Sequence, residues 1–318
     1  MKFNFYSIYL LLLFLGTFLF SCEIETARPK KNKHLTIVSD YLNSSDTVIF
    51  QNFSRRNSIK IKIVHLSPSK IIGQFRKEKF NHGFDLILLQ SMTDVLDFHK
   101  KDLLHPLVKG NHFNEMDANY SSEKFDYIGF GYDPFVVAMS KEQPTTIRMY
   151  NDLTRHKFKT DLADNELIPM FAPILSKMSR VDANSWVKKF FDNSKPDSLF
   201  NDSIGRNLPL LKTYSSFFNS NKSNQIKNKK IIFPNTKSTG TFYNLRTFCI
   251  ANQAENYDES ISLIHYFLSK KNNGVLNKKM NTIPIHSNDL GFRKYYMSSE
   301  KMSQYFLTVE RLLRKLNR

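Results

Sequence analysis

An α/β fold with a mainly parallel sheet and helices on both faces is predicted by three observations. Strand and helix patterns alternate three times near the start of the chain. The strands are short, apolar and rich in β-branched residues, and each following helix carries its apolar residues on one face. In the first unit His34–Ser39 reads as a buried strand, and Ser44, Ser45 or Asp46 is placed to cap a helix presenting Ile49, Phe50 and Phe53. In the second, Ile59–Leu66 alternates apolar and polar residues, and Ser69 begins a helix with Ile71, Ile72 and Phe75 inward and Lys77, Glu78 and Lys79 outward. In the third, Phe84–Leu89 is a buried strand, followed by a helix through Val95, Leu96 and Phe98. Ligands of such sheets bind beyond the carboxyl ends of the strands, so the loops after Ser39, Leu66 and Leu89 are expected to line a site.

Beyond these units, Phe135–Met139 reads as a strand, Asn151–Leu153 starts a short helix, and Trp186, Val187, Phe190 and Phe191 mark a longer one. The stretch from Asp192 to Asn207 is rich in Asp, Ser and Asn and reads as loop, and Lys222–Lys230 as a basic surface turn. Ile231–Pro234 and Leu245–Ala251 are strand patterns, and Tyr257–Ser269 is helical with Ile261, Ile264, Phe267 and Leu268 facing in. From about Ser298 a last helix carries Met302, Tyr305, Phe306, Val309, Leu312, Leu313 and Leu316 on one stripe, a pattern explained by core packing.

Composition sets the outer bounds. Hydrophobic residues make up 41% of the 318, which excludes disorder as the main state, and 2 Cys exclude a disulfide scaffold. The formal charge of +17 is spread along every segment rather than gathered into a nucleic-acid-binding module, so attraction to anionic lipid or an anionic ligand is the better reading. No nucleic-acid partner is expected. Lys2, an apolar run from Tyr6 to Phe20 and Ser21–Cys22 carry the marks of an export signal.

Leu19-Phe20-Ser21-Cys22 resembles the lipobox of bacterial lipoproteins, which implies removal of residues 1–21, acylation (palmitate) of Cys22 and a tether over residues 22–33. Cys249, within an apolar run, is then alone and is expected to be a buried small hydrophobe.

Several segments in order resemble the bacterial solute-binding proteins of ABC transporters, in the type II periplasmic binding protein fold and closest to its ferric-iron branch. They are Phe53–Ile61, Phe84–Ile87, Asp102–Leu107, Tyr127–Val137, Tyr150–Lys159 and Phe233–Asn235 through Gly240–Asn244 to Ala254–Asn256 and Phe267–Ser269. The resemblance implies two lobes, mixed sheets flanked by helices, and a hinge: residues 34–134 and 241–284 in lobe 1, residues 135–240 and 285–318 in lobe 2. It further implies a monomeric receptor, lipid-anchored to a bacterial membrane on its periplasmic side or at the cell surface. That receptor would hand a small-molecule or metal-complex ligand, iron or another small anionic or metal-containing solute, to an ABC permease. A transport-inactive structural or signalling lipoprotein that binds a protein partner is the alternative.

Ferric relatives hold Fe(III) through an adjacent Tyr pair, with a His or Tyr after the first strand and a carboxylate. Here the pair falls on Tyr214–Ser215, the loop after the first strand offers Tyr41 and Asn43, and the carboxylate position falls on Gln90, so that ligand set is incomplete. The expected ligand-lining residues are Tyr41, Gln90, Tyr132, Tyr214, Tyr243, Asn244 and Arg246, with Arg246 a candidate bidentate clamp for an anion. Asp94 and Asp97 share a helix and are expected to face solvent. The nine His do not form metal-binding pairs, and neither a nucleophile elbow nor a phosphate loop occurs, so no catalytic residue is assigned.

Overall fold

A computed structural model describes residues 34–76, 83–107, 121, 126–144, 147–196, 208–220, 228–287 and 291–315. The export signal, Cys22 and the tether, together with Glu78, Lys222 and Leu316, lie outside the described residues. No helix among the described residues is long and apolar enough to cross a membrane.

The three predicted units form one half of the sheet. β1 (His34–Ser39) buries Leu35, Ile37 and Val38 completely and pairs in parallel with β2 (Lys60–His65) on one side and β3 (Leu86–Leu89) on the other. β2 is the edge strand, where Lys60 and Lys62 point to solvent and Ile63 points to the core, as alternation requires. The first helix is capped by Asn43 rather than Ser44, Ser45 or Asp46. The Asn43 side chain accepts from the Ser45 amide while Asp46 accepts from the Asn43 amide, a reciprocal box. A 3-10 turn (Ser44–Phe50) then leads into α1 (Gln51–Asn57). α2 (Pro68–Phe75) starts two residues earlier than a cap at Ser69 would give, with Ser67 at the cap position and Pro68 in its first turn. α3 (Met92–Lys100) is capped by Ser91, whose hydroxyl accepts from the Thr93 amide at 3.2 Å.

The largest departure from expectation is β5 (Tyr127–Ser140), one strand of 14 residues in which only Ser140 is not buried. Gly129, Gly131 and Asp133-Pro134 look like loop punctuation in sequence, which hides the strand before Phe135. The glycines have a packing reason. A Cβ on Gly131 would overlap Oδ1 of Asn277. That side chain is pinned by donation to the Phe130 carbonyl (2.8 Å) and acceptance from the Thr282 hydroxyl (2.6 Å). Asn277 lies on α8 (Lys270–Met280), which follows α7 (Tyr257–Leu268).

β5 serves both halves. Residues 127–134 run antiparallel to β10 (Tyr243–Ala251), which itself pairs with β3. Residues 135–140 pair with β8 (Leu210–Thr213) and β9 (Lys229–Ile232). β8 continues in parallel to β6 (Phe158–Thr160) and then β7 (Ser194–Pro196). The order is β2-β1-β3-β10-β5-β8-β6-β7, with β4 (Leu104–His105) on β10 and β11 (Ile283–Pro284) on β5. The two halves are therefore joined through β5, whose residues 127–134 pair within one set of ladders and residues 135–140 within the other.

In the second half α4 (Asp164–Leu175) and α5 (Arg180–Asn193) bring Phe171, Trp186, Phe190 and Phe191 together with Phe158, ring centroids 4.9 to 6.0 Å apart. The final helix α9 (Ser299–Lys315) lays Met302, Val309, Leu312 and Leu313 into the core against α4. Cys249 is free and fully buried, and its thiol pKa is pushed far up by burial.

Overpacking a filled site costs about 1–3 kcal/mol. Gly131→Ala is therefore expected to lower unfolding stability by that amount in denaturant titration. Gly129→Ala, which would overlap the buried Leu245 side chain at 2.6–2.7 Å, is expected to cost a similar amount.

Candidate functional site

A cavity of about 490 Å³ opens at the carboxyl ends of β1, β2 and β3, where the rule for open sheets puts a ligand. Each strand delivers polar residues as it ends: Asp40 after β1, His65 and Ser67–Ser69 after β2, Gln90 and Ser91 after β3, with Asp94 in the first turn of α3. The opposing wall comes from the second half, through Ala163 and Glu166 at the start of α4 and Thr213 and Ser216 where β8 runs into α6 (Tyr214–Ser220). β5 and β10 supply the floor with Asp133, Asn244 and Arg246. Asp133 lies opposite Asn244 in the ladder, and strand alternation puts Arg246 on the same face.

The floor is organised by one ion pair. Arg246 is 7% exposed and Asp133 1% exposed. The guanidinium donates from Nη2 to Asp133 Oδ2 and to Ser215 Oγ (2.8 Å), and from Nη1 to Gln90 Oε1 (2.8 Å). Asp133 accepts in addition from the Ser215 amide (2.8 Å) and hydroxyl (2.6 Å). Arg246 thus ties the end of β3 and the start of α6 to the crossing strands. Its guanidinium lies 5.3 Å from the centre of the Tyr41 ring. With Asp133 as counter-charge and both terminal nitrogens bonded within the protein, Arg246 is not a free clamp for an anion.

The remaining carboxylates are held against their charge. Burial, only partly offset by Arg246, raises the pKa of Asp40 to about 6. Burial and then the neighbouring charges of Asp40, Asp97 and Glu166 raise Asp94 to about 7. Burial raises Glu166 as well, although its carboxylate accepts from the Ala163 amide at 2.8 Å. Four buried polar atoms here have no hydrogen-bond partner among the described residues: Asp40 Oδ1, Tyr41 Oη, Asn244 Oδ1 and Arg246 Nε. A buried polar atom left without a partner costs about 1–3 kcal/mol.

Of the residues expected to line the site, Gln90, Asn244 and Arg246 do so. Tyr41 backs the floor with its ring under Arg246 and its phenol buried. Tyr132, Tyr214 and Tyr243 do not line the cavity. Alternation puts Tyr132 and Tyr243 on the face opposite Asp133 and Asn244, where their rings meet edge to face at 4.9 Å and Lys294 donates to the Tyr132 hydroxyl (2.8 Å). Tyr214 opens α6 beside the lining residue Thr213, but its ring packs on Phe218 and Phe233. Sequence reasoning missed Asp40, Asp133 and Glu166, and it placed Asp94 in solvent. The signal for Asp40 and Asp94 was present, since both follow strand ends at which the ligand rule points.

No protein-family model matches the sequence, and no curated protein matches it. Solved structures do. The ferric binding protein from Campylobacter jejuni superposes with a TM-score of 0.76 at 18% identity, covering 88% of this chain and 98% of that one. The FutA (IdiA) protein of Trichodesmium in complex with iron and citrate gives 0.76 at 18%, covering 89% and 98%. The open form of the ferric iron-binding protein A of Mannheimia haemolytica gives 0.75 at 14%, covering 90% and 98%. The chain has the type II periplasmic binding protein fold.

Two outcomes are expected. Asp94 binds its proton more tightly folded than unfolded, so its contribution to stability is full below the ordinary value of 3.8 and is lost as pH rises through about 7. Asp94→Asn is therefore expected to raise the melting temperature above that pH by about 2–4 °C for each kcal/mol recovered, with no gain near pH 4, as read by calorimetry across pH. Arg246→Met leaves Asp133 buried and unpaired and is expected to cost about 3–5 kcal/mol in denaturant titration, much of it restored by adding Asp133→Asn.

Proposed function

We propose that the protein is the solute-binding receptor of an ABC-type uptake system, working outside the cytoplasm and held at a bacterial membrane by lipid on Cys22. The observation that carries this reading is the cavity itself. It is walled by both halves of a periplasmic-binding-protein fold and floored by the two crossing strands, and polar residues from each of them line it. In this proposal lobe 1 comprises residues 34–134 and 241–284 and lobe 2 residues 135–240 and 285–318. Closure about β5 and β10 brings Ala163, Glu166, Thr213 and Ser216 onto a solute resting on Asp40, Gln90 and Asp94. The ligand would pass to a membrane permease, and the receptor would act as a monomer.

Among the similar structures are a ferric binding protein and a complex with iron and citrate, which keeps a metal-containing solute among the candidates. A simple anion is disfavoured, because it would meet four carboxylates and an arginine already paired. The second reading, a protein-binding lipoprotein without transport, draws on Ser215. This residue occupies the second position of the family's Tyr pair and is committed to Asp133 and Arg246 instead.

Thermal unfolding of the full-length chain in detergent, with and without candidate solutes, tests the choice. A ligand at 100 times its Kd is expected to add about 2.7 kcal/mol of stability. Asn244→Ala is expected to reduce that gain. No response to any solute, with a protein partner captured instead, would favour the second reading.

A further inference from the structure

The cleft carries the opposite charge to the molecule around it. The chain as a whole is +17, yet the cavity presents Asp40, Asp94, Asp133 and Glu166. Against them stand one arginine, neutralised by Asp133, and His65, whose Nδ1 faces the Leu42 carbonyl at 3.1 Å. Three carboxylates from three elements are therefore left without a cationic partner of their own in the cavity: the end of β1, the first turn of α3 and the first turn of α4. The second observation is independent of charge. Asn244, 4% exposed, lines the same cavity with a side-chain amide whose Oδ1 has no hydrogen-bond partner among the described residues. An unsatisfied buried amide and a surplus of negative charge ask for a ligand that brings positive charge and hydrogen-bonding groups together.

Size separates the kinds of cation. A volume of about 490 Å³ greatly exceeds a bare ion and suits a small organic molecule. Among the described residues no three His, Cys, Asp or Glu side chains stand close enough to share one metal ion. The overall positive charge does not forbid a cationic ligand, because fields between exposed charges are screened beyond about 8 Å at physiological salt and the lining decides at contact.

We propose that the cleft selects an organic cation bearing N–H donors, an amine or guanidinium solute, held by Asp40, Asp94 and Glu166 beside the side-chain amide of Asn244. This rests on the receptor reading above and names its substrate class. A consequence for pH follows from the groups that face one another here. Asp40 and Asp94 are raised toward neutrality by burial, with Asp97, Asp161, Asp133, Glu166, His65 and Arg246 the other charged or titratable groups around them. A cation binds their ionised forms, so its binding expels protons and strengthens as pH rises.

The test is titration calorimetry on the full-length chain in detergent. The amine probes are putrescine, agmatine and spermidine; the comparison solutes are tetramethylammonium, ferric citrate and inorganic phosphate. At least one amine is expected to bind at least tenfold more tightly than tetramethylammonium, which has no N–H. Its affinity is expected to rise between about pH 5 and pH 8, with proton release seen as a dependence on buffer ionisation enthalpy. Asp94→Asn is expected to weaken it at least tenfold and flatten the pH profile. Silence from every amine, together with binding of ferric citrate or phosphate, would overturn the inference and leave the receptor intact. Affinity that rises as pH falls, or tetramethylammonium binding as tightly as the amines, would overturn it equally. Silence from every solute would remove both the inference and the receptor reading.

Discussion

The buried contact between Arg246 and Asp133 is the constraint around which the rest is arranged. It joins two antiparallel strands at the point where β5 passes from one half of the sheet to the other. Through Gln90 it reaches the end of β3, and through Ser215 the start of α6. A charge pair in such a place is a weak source of net stability, since desolvation cancels most of the Coulombic gain. Its effect is geometric. Both terminal nitrogens of Arg246 and both oxygens of Asp133 are engaged within the protein, which fixes the arrangement of the floor of the cleft. That commitment also decides what the floor offers a ligand, namely the neighbouring amide of Asn244 and the carboxylates of the walls.

Charge at two scales gives the molecule two faces. Lys and Arg spread along the sequence make the chain basic as a whole. The cavity gathers carboxylates whose burial keeps part of their charge suppressed until a partner arrives. The same two strands that carry the ion pair carry this contrast. Alternation puts Asp133, Asn244 and Arg246 toward the cavity and Tyr132, Tyr243 and Leu245 toward packed surroundings.

Most of the first half was legible from residue patterns. β1, β2 and β3 are local runs whose apolar content and alternation reveal them, and the loops that follow them do line the cleft. Caps were less legible, because Asn43 and Ser44 are equally good residues for the task and the choice depends on which backbone is extended. β5 was half hidden. Its two glycines and Asp-Pro step resemble a turn unless Asn277, well over a hundred residues further on, is known to fill the space beside Gly131. The site residues divided in the same way. Gln90 and Asn244 were found from strand ends and from family order, whereas Glu166 lies in a segment with no marker of its own. Asp94 was assigned to solvent because its neighbours across the cleft come from another part of the chain.

The order of residues by itself determined the α/β class, the resemblance to ferric-type binding proteins and the strand ends at which to look, since each depends on runs of a few residues or on their succession. Only the tertiary structure decided that the halves share one strand, that three of the expected tyrosines turn away from the cavity, and that its walls are acidic. Those outcomes depend on which face of β5 and β10 points into the gap and on carboxylates brought together across large sequence separations. Local pattern carries no record of such encounters, because the charges that raise one another's proton affinity here become neighbours only after the chain has folded.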